Sequence, residues 1–200
     1  MPNIVSKGEK MALKPNRKYF LEPEMLDILE KEFSVEALVA KYASEMSGKG
    51  DNERDEIAQR VFGTYGKNLA KRILEIEGKY RDRVGEIIYE IAEKTGHLFP
   101  SAPQRLLEIS FLGPRSDDEW NYKEISHKKI IHFVNHCSIY KALKDSMGEK
   151  EVNLLPCRYA DIATSTGIYE GLNLNVLFKM TGEMPKDGFC RFSALFVASE

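Results

Sequence analysis

Three cysteines in the last third of the chain are the residues best equipped for chemistry: His136-Cys137-Ser138, Pro156-Cys157-Arg158-Tyr159-Ala160-Asp161 and Gly188-Phe189-Cys190-Arg191-Phe192. No cysteine precedes Cys137. A thiolate is a metal ligand and a nucleophile, so three thiols in one region can build a site. Free cysteine is also among the most buried side chains, and three packed thiols are the plain alternative.

Cys157 is the best placed. If Pro156 marks a helix start, Cys157 lies at the positive end of the helix dipole, which favours the thiolate. Asp161, four residues on, then shares its helix face. Thiol and carboxylate at that spacing can ligate one metal, or the carboxylate can serve as general base beside a nucleophile or a water. Cys137 opens a helix after a strand, the same electropositive setting. Cys190 starts a strand whose period-2 partners Phe192, Ala194 and Phe196 share its face, which points to burial. Cys137, Cys157 and Cys190 are the candidate metal ligands, for zinc or iron, although their spacing matches no compact zinc motif.

His132 and His136 are spaced i, i+4. On a helix they can share a metal; on a strand they stand roughly 13 Å apart and cannot. Ile130, Ile131, Phe133 and Val134 favour the strand, which leaves His136, beside Cys137, as a single ligand-binding candidate. Arg158, Tyr159, Tyr140 and Trp120 are candidates to line a pocket for a small polar ligand, with Arg158 suited to a carboxylate. There is no Gly-rich phosphate loop, no G-x-S-x-G and no H-E-x-x-H.

The elements that must position these residues are legible in outline. Residues 1–22 read as a solvated, mildly basic arm. Residues 23–103 read as a helical region. Pro23 fits a first helical turn, Ser34 a possible second cap, and Ser47 to Asn52 a break. A long apolar stripe follows through Ile57, Val61, Leu69, Ile73 and Ile76, with Gly78 as a stop. Asp82 is a candidate cap for a further helix bearing Val84, Ile87, Ile88 and Ile91, closed by Gly96. Phe99 to Pro103 is a rigid connector.

Residues 104–200 change character. Leu106 to Leu112 fits helix or strand, and 113–118 a loop. Ile130 to Val134 is a strand, Ser138 to Met147 a helix ended by Gly148, and 157–168 another helix. Segments from Leu174 to Phe178 and from Cys190 to Phe196 alternate as strands around a turn at Met184 to Gly188. Helices first, then mixed strands and helices, give an α+β domain with an antiparallel sheet.

The bulk numbers exclude several classes. A net charge of -2 over 200 residues leaves no electrostatic footprint for nucleic acid. No apolar run approaches the ~20 residues that span a bilayer, and the N-terminus lacks a signal-peptide core. An odd cysteine count argues against a secreted disulfide framework. The expectation is a cytoplasmic protein with free thiols or thiolate ligands, no membrane partner, and a possible homodimer through the apolar faces of residues 24–46.

The order of these elements resembles the L-2-amino-thiazoline-4-carboxylic acid hydrolase family. The matching segments are Asn135 to Tyr140, Leu155 to Asp161 and Asp187 to Phe192, within about residues 104–198. The resemblance implies hydrolysis of a cyclic amidine-like carbon–nitrogen bond, by water attack on the ring carbon between nitrogen and sulfur. The positions that match are Cys137, Cys157, Asp161 and Cys190. In that reading Asp161 takes the proton, and a thiolate, or a metal it holds, activates the water. From Leu155 to Phe196 the chain also resembles the 4-vinyl-reductase domain, a small-molecule-binding module, which implies a ligand or metal sensor without catalysis. The first resemblance is favoured because it also covers Cys137 and its helix.

Overall fold

The fold was described from a computed structural model over residues 23–79, 118–126 and 128–197. The arm at 1–22, the Asp82-capped helix, the connector and the segment from Leu106 to Leu112 lie outside these residues.

Three helices open the described chain: α1 (Pro23–Glu32), α2 (Val35–Met46) and α3 (Asp51–Lys79). Ser34 resolves the question of one helix or two. Its side chain accepts a hydrogen bond from the Ala37 N–H at 3.2 Å, which satisfies a donor that the start of a helix leaves unpaired. Helix α3 is described as far as Lys79, one residue past the expected stop at Gly78. Exposed glycine near a helix end weakens the last turn without breaking it.

After 118 come β1 (Glu119–Ile125), β2 (Lys129–His136), α4 (Ser138–Met147), α5 (Glu149–Val152) and α6 (Arg158–Gly171). The chain then forms β3 (Val176–Gly182), α7 (Met184–Asp187) and β4 (Cys190–Phe196). The expected turn at 184–188 is thus a single helical turn, closed by Gly188 at φ 74°. That left-handed value favours glycine. The four strands pair antiparallel in the order β1-β2-β4-β3. The protein is α+β, as expected.

Two apolar clusters hold the layers together. One joins Leu69, Ile73 and Ile76 of α3 and Ile168 and Tyr169 of α6 to Ile130 and Ala194 of the sheet. The other joins Leu38 and Tyr42 of α2, Val61 and Phe62 of α3, and Ile139 and Leu143 of α4. Glu151 is buried beside this second cluster and is neutralised there. Its carboxylate accepts from Tyr42 Oη at 2.7 Å and from Arg54 Nε at 3.1 and 3.0 Å. Arg54 is also paired with Asp51 at 2.7 Å. A buried charge is tolerable only when paired and hydrogen-bonded, and this network ties α5 to α2 and α3.

Among the described elements the α3–α6 contact is the most extensive, and glycines set its distance. A Cβ on Gly66 would meet the Ala160 carbonyl oxygen and stand 2.8 Å from Ala163 Cβ. A Cβ on Gly167 would stand 2.8 Å from Ala70 Cβ. The two helices therefore touch almost backbone to backbone. This fixes the start of α6, and with it Cys157 and Asp161.

Candidate functional site

The sheet register lays out the floor of the site. Side chains alternate in strands, so one face carries three rows. Val134 pairs with Cys190 in the first row. In the second, His132 pairs with Phe192, and Phe192 with Met180. In the third, Ile130 pairs with Ala194, and Ala194 with Phe178. This face meets the helices, since Ile130, Phe192 and Ala194 are at most 1% exposed.

The three thiols gather at the first row. Cys137 precedes α4 as its N-cap with extended backbone, Cys157 is the N-cap of α6, and Cys190 begins β4. All three are free and buried. Cys137 and Cys157 belong to the same apolar cluster as Ile139 and Leu143. Burial pushes the Cys157 thiol well above its ordinary pKa, and Cys137, Asp161 and Cys190 nearby push in the same direction. Burial, with Asp161, lifts Cys190 to about 12. These groups lie near one another, and the expected thiolate at Cys157 is corrected. The helix end offers a partial positive charge, and desolvation of an anion outweighs it.

The metal reading is not supported by this donor set. Among the described residues no group of three or more His, Cys, Asp or Glu side chains is arranged to hold a metal ion. The expected zinc or iron set of Cys137, Cys157 and Cys190 is thus not found as a ligand group among the described residues. His132 and His136 both lie on β2, where four residues separate them by roughly 13 Å. His136 sits at the strand end opposite Glu119.

Arg158 and Tyr159, expected to bind ligand beside the thiol, are committed to α3. Arg158 Nη2 donates to Asp55 Oδ1 at 2.7 Å and Tyr159 Oη donates to Asp55 at 2.9 Å. The guanidinium also stacks on the Tyr159 ring, 4.7 Å from its centroid. Tyr140 donates to Asn153 Oδ1 at 3.0 Å, and the Trp120 side chain lies outside the described residues. A residue missed from sequence, Asp118, supplies the cap that Cys137 does not. Its Oδ1 accepts from the Ser138 N–H at 2.7 Å, and Asp118 is itself buried. The cap comes from twenty residues upstream, where no local pattern signals it.

Also missed is a stack of rings next to the thiols. His132 and Phe192 stack at 5.2 Å, and Phe192 and Phe178 at 5.6 Å with an interplanar angle of 8°. Tyr169 of α6 leans on Phe178 at 5.8 Å. Burial holds His132 down to about 4, so it is neutral near pH 7. The alternation of aromatic residues in β3 and β4 was the available signal. His132, Val134, Phe178 and Met180 on this face remain half-buried, and so do Asp161 and Ser165 of α6. Ring faces, neutral thiols and one carboxylate are suited to holding an apolar small molecule. They are poorly suited to nucleophilic attack by sulfur.

No protein-family model matches the chain, and no curated protein matches it. Two solved structures are similar in outline. A crystal structure of Fe(II) unliganded H-NOX protein from K. algicida is 11% identical, with a TM-score of 0.41, covering 91% of this chain and 96% of that one. A single-residue mutant of the same protein is 12% identical, with a TM-score of 0.40, covering 88% and 94%. Likeness at this level carries no argument about ligand or activity. None of the described helices is long and apolar enough to cross a membrane.

Proposed function

We propose that the chain is a small-molecule-binding module whose ligand lies between α6 and the helix-facing side of the sheet. The observation that carries this reading is the half-buried face of His132, Phe178 and Met180, beside thiols that burial keeps protonated. A well-packed interior would bury such side chains fully. Pockets for small molecules are mostly apolar with a few polar groups, as this face is. Asp161 and the thiols of Cys157 and Cys190 are the polar end. The resemblance of Leu155 to Phe196 to the 4-vinyl-reductase domain agrees with a binding role. Free thiols suit a reducing, cytoplasmic setting.

The hydrolase reading asks for a thiolate at Cys157, or for Asp161 as base on an open pocket. Burial of the thiols counts against the first.

The test is a titration of the full chain with N-phenyl-1-naphthylamine, an uncharged fluorescent probe. Saturable one-to-one binding is expected. It should be lost in Met180→Trp, which sets a larger side chain beside Phe192 on the proposed binding face, with little change in melting temperature. No saturable signal, or a collapse of stability in Met180→Trp, overturns the reading. Turnover of a 2-amino-thiazoline carboxylate that disappears in Asp161→Asn at unchanged melting temperature would replace it with the hydrolase.

A further inference from the structure

Two glycines of α3 lie one turn apart and have different circumstances. Gly66 is required by the close approach of α6. Gly63 has nothing within 4 Å of its would-be Cβ among the described residues. Glycine in a helix interior is unfavourable relative to alanine, and it permits close approach by another backbone. Within the described chain nothing makes that approach. Gly63 instead lines an open groove of about 1120 Å³ along the seam between α3 and α6.

We propose that this groove is a homodimer interface, in which α3 of a second copy crosses α3 antiparallel with the two-fold axis at Gly63–Thr64. The charges on this face argue for a second copy. Glu56, Arg60, Gly63, Lys67 and Lys71 all line the groove, and their i, i+3 and i, i+4 spacing puts them on one helix face. An antiparallel two-fold between residues 63 and 64 sets residue 56 opposite residue 71 of the other copy. Glu56 then faces the second copy's Lys71, and Lys71 its Glu56, on either side of the glycine. An isologous contact requires this kind of self-complementarity. Among the described residues Lys71 makes no hydrogen bond or ion pair, and Glu56 acts only electrostatically, on Arg60 one turn away. The same operation opposes Arg60 to Lys67, but Arg60 is already neutralised by Glu45 at 2.6 Å. At the axis, Gly63 lets the two backbones approach closely, as Gly66 does for α6.

Sedimentation equilibrium of the full chain tests this. The wild type sediments as a dimer. Gly63→Trp, whose side chain meets none of the described residues at its Cβ, gives a monomer whose melting temperature is not lowered. Glu56→Lys and Lys71→Glu each set like charges face to face twice and weaken the dimer about tenfold. The double variant Glu56→Lys/Lys71→Glu restores it to near the wild-type constant. A monomeric wild type, a Gly63→Trp dimer, or a double variant no tighter than the singles overturns the proposal.

Discussion

Helix α6 has two sides, and they are built on opposite rules. Toward α3 it presents Ala160, Ala163 and Gly167, and the two helices meet with no room for a further methyl group. Toward the sheet it presents Asp161, Ser165 and Tyr169 over a face of stacked rings that stays partly open. The first side is a fixed joint. The second leaves His132, Phe178 and Met180 half-buried, which is why we propose the ligand there. A contact that tolerates nothing positions a site, and a contact with slack accommodates an occupant.

The difference is sharpest under side-chain additions. Gly66→Ala drives a methyl group into the Ala160 carbonyl and is expected to cost about 3 kcal/mol in urea unfolding, the largest effect here. Acid should act next, and on the other side. His132 has a folded-state pKa of about 4 against an ordinary 6.5, so the folded protein resists its protonation. The stability it contributes is complete above about pH 6.5 and is lost as pH falls toward 4. The loss should amount to about 2–3 kcal/mol, read as the difference in urea-derived stability between pH 7 and 4.5. His132→Phe keeps the stack and should flatten that part of the slope. Met180→Phe adds volume on the sheet side and should cost less than about 1 kcal/mol. If it costs as much as Gly66→Ala, the slack is not there. Gly63→Ala should stabilise each chain by about 0.5–1 kcal/mol, because it gains helix propensity without a clash. That gain is best read by chemical denaturation at low protein concentration, where dimerisation contributes least.

Elements whose sequence is governed by local rules were legible. Ser34 could be read as a cap because capping is decided within four residues. Strand β2 and helix α6 follow from continuous apolar runs and from Pro156 ahead of Cys157. Strand β1 was not foreseen. It is an edge strand rich in charge, from Glu119 through Lys123 and Glu124, and its pairing with β2 is interrupted twice, so neither composition nor period 2 marks it. The convergence of Cys137, Cys157, Asp161 and Cys190 was legible through the order of elements. Their protonation was not, because burial is a property of the assembled layers. The Tyr42–Glu151–Arg54 network and the Arg158–Tyr159–Asp55 cluster span about a hundred residues each, and nothing in the local sequence anticipates such partners.

The strand order has a consequence in time. β4 is central, with β2 on one side and β3 on the other, yet it leaves the ribosome after both. Until Phe196 has emerged, β2 and β3 have no shared partner and the floor of the site has no middle row. Helices α3 and α6 are both complete before β4 appears, and their close-packed joint does not involve it. A nascent chain halted before Cys190 would therefore carry the finished α3–α6 joint above a half-made sheet, with Phe178 and His132 uncovered for a chaperone to find.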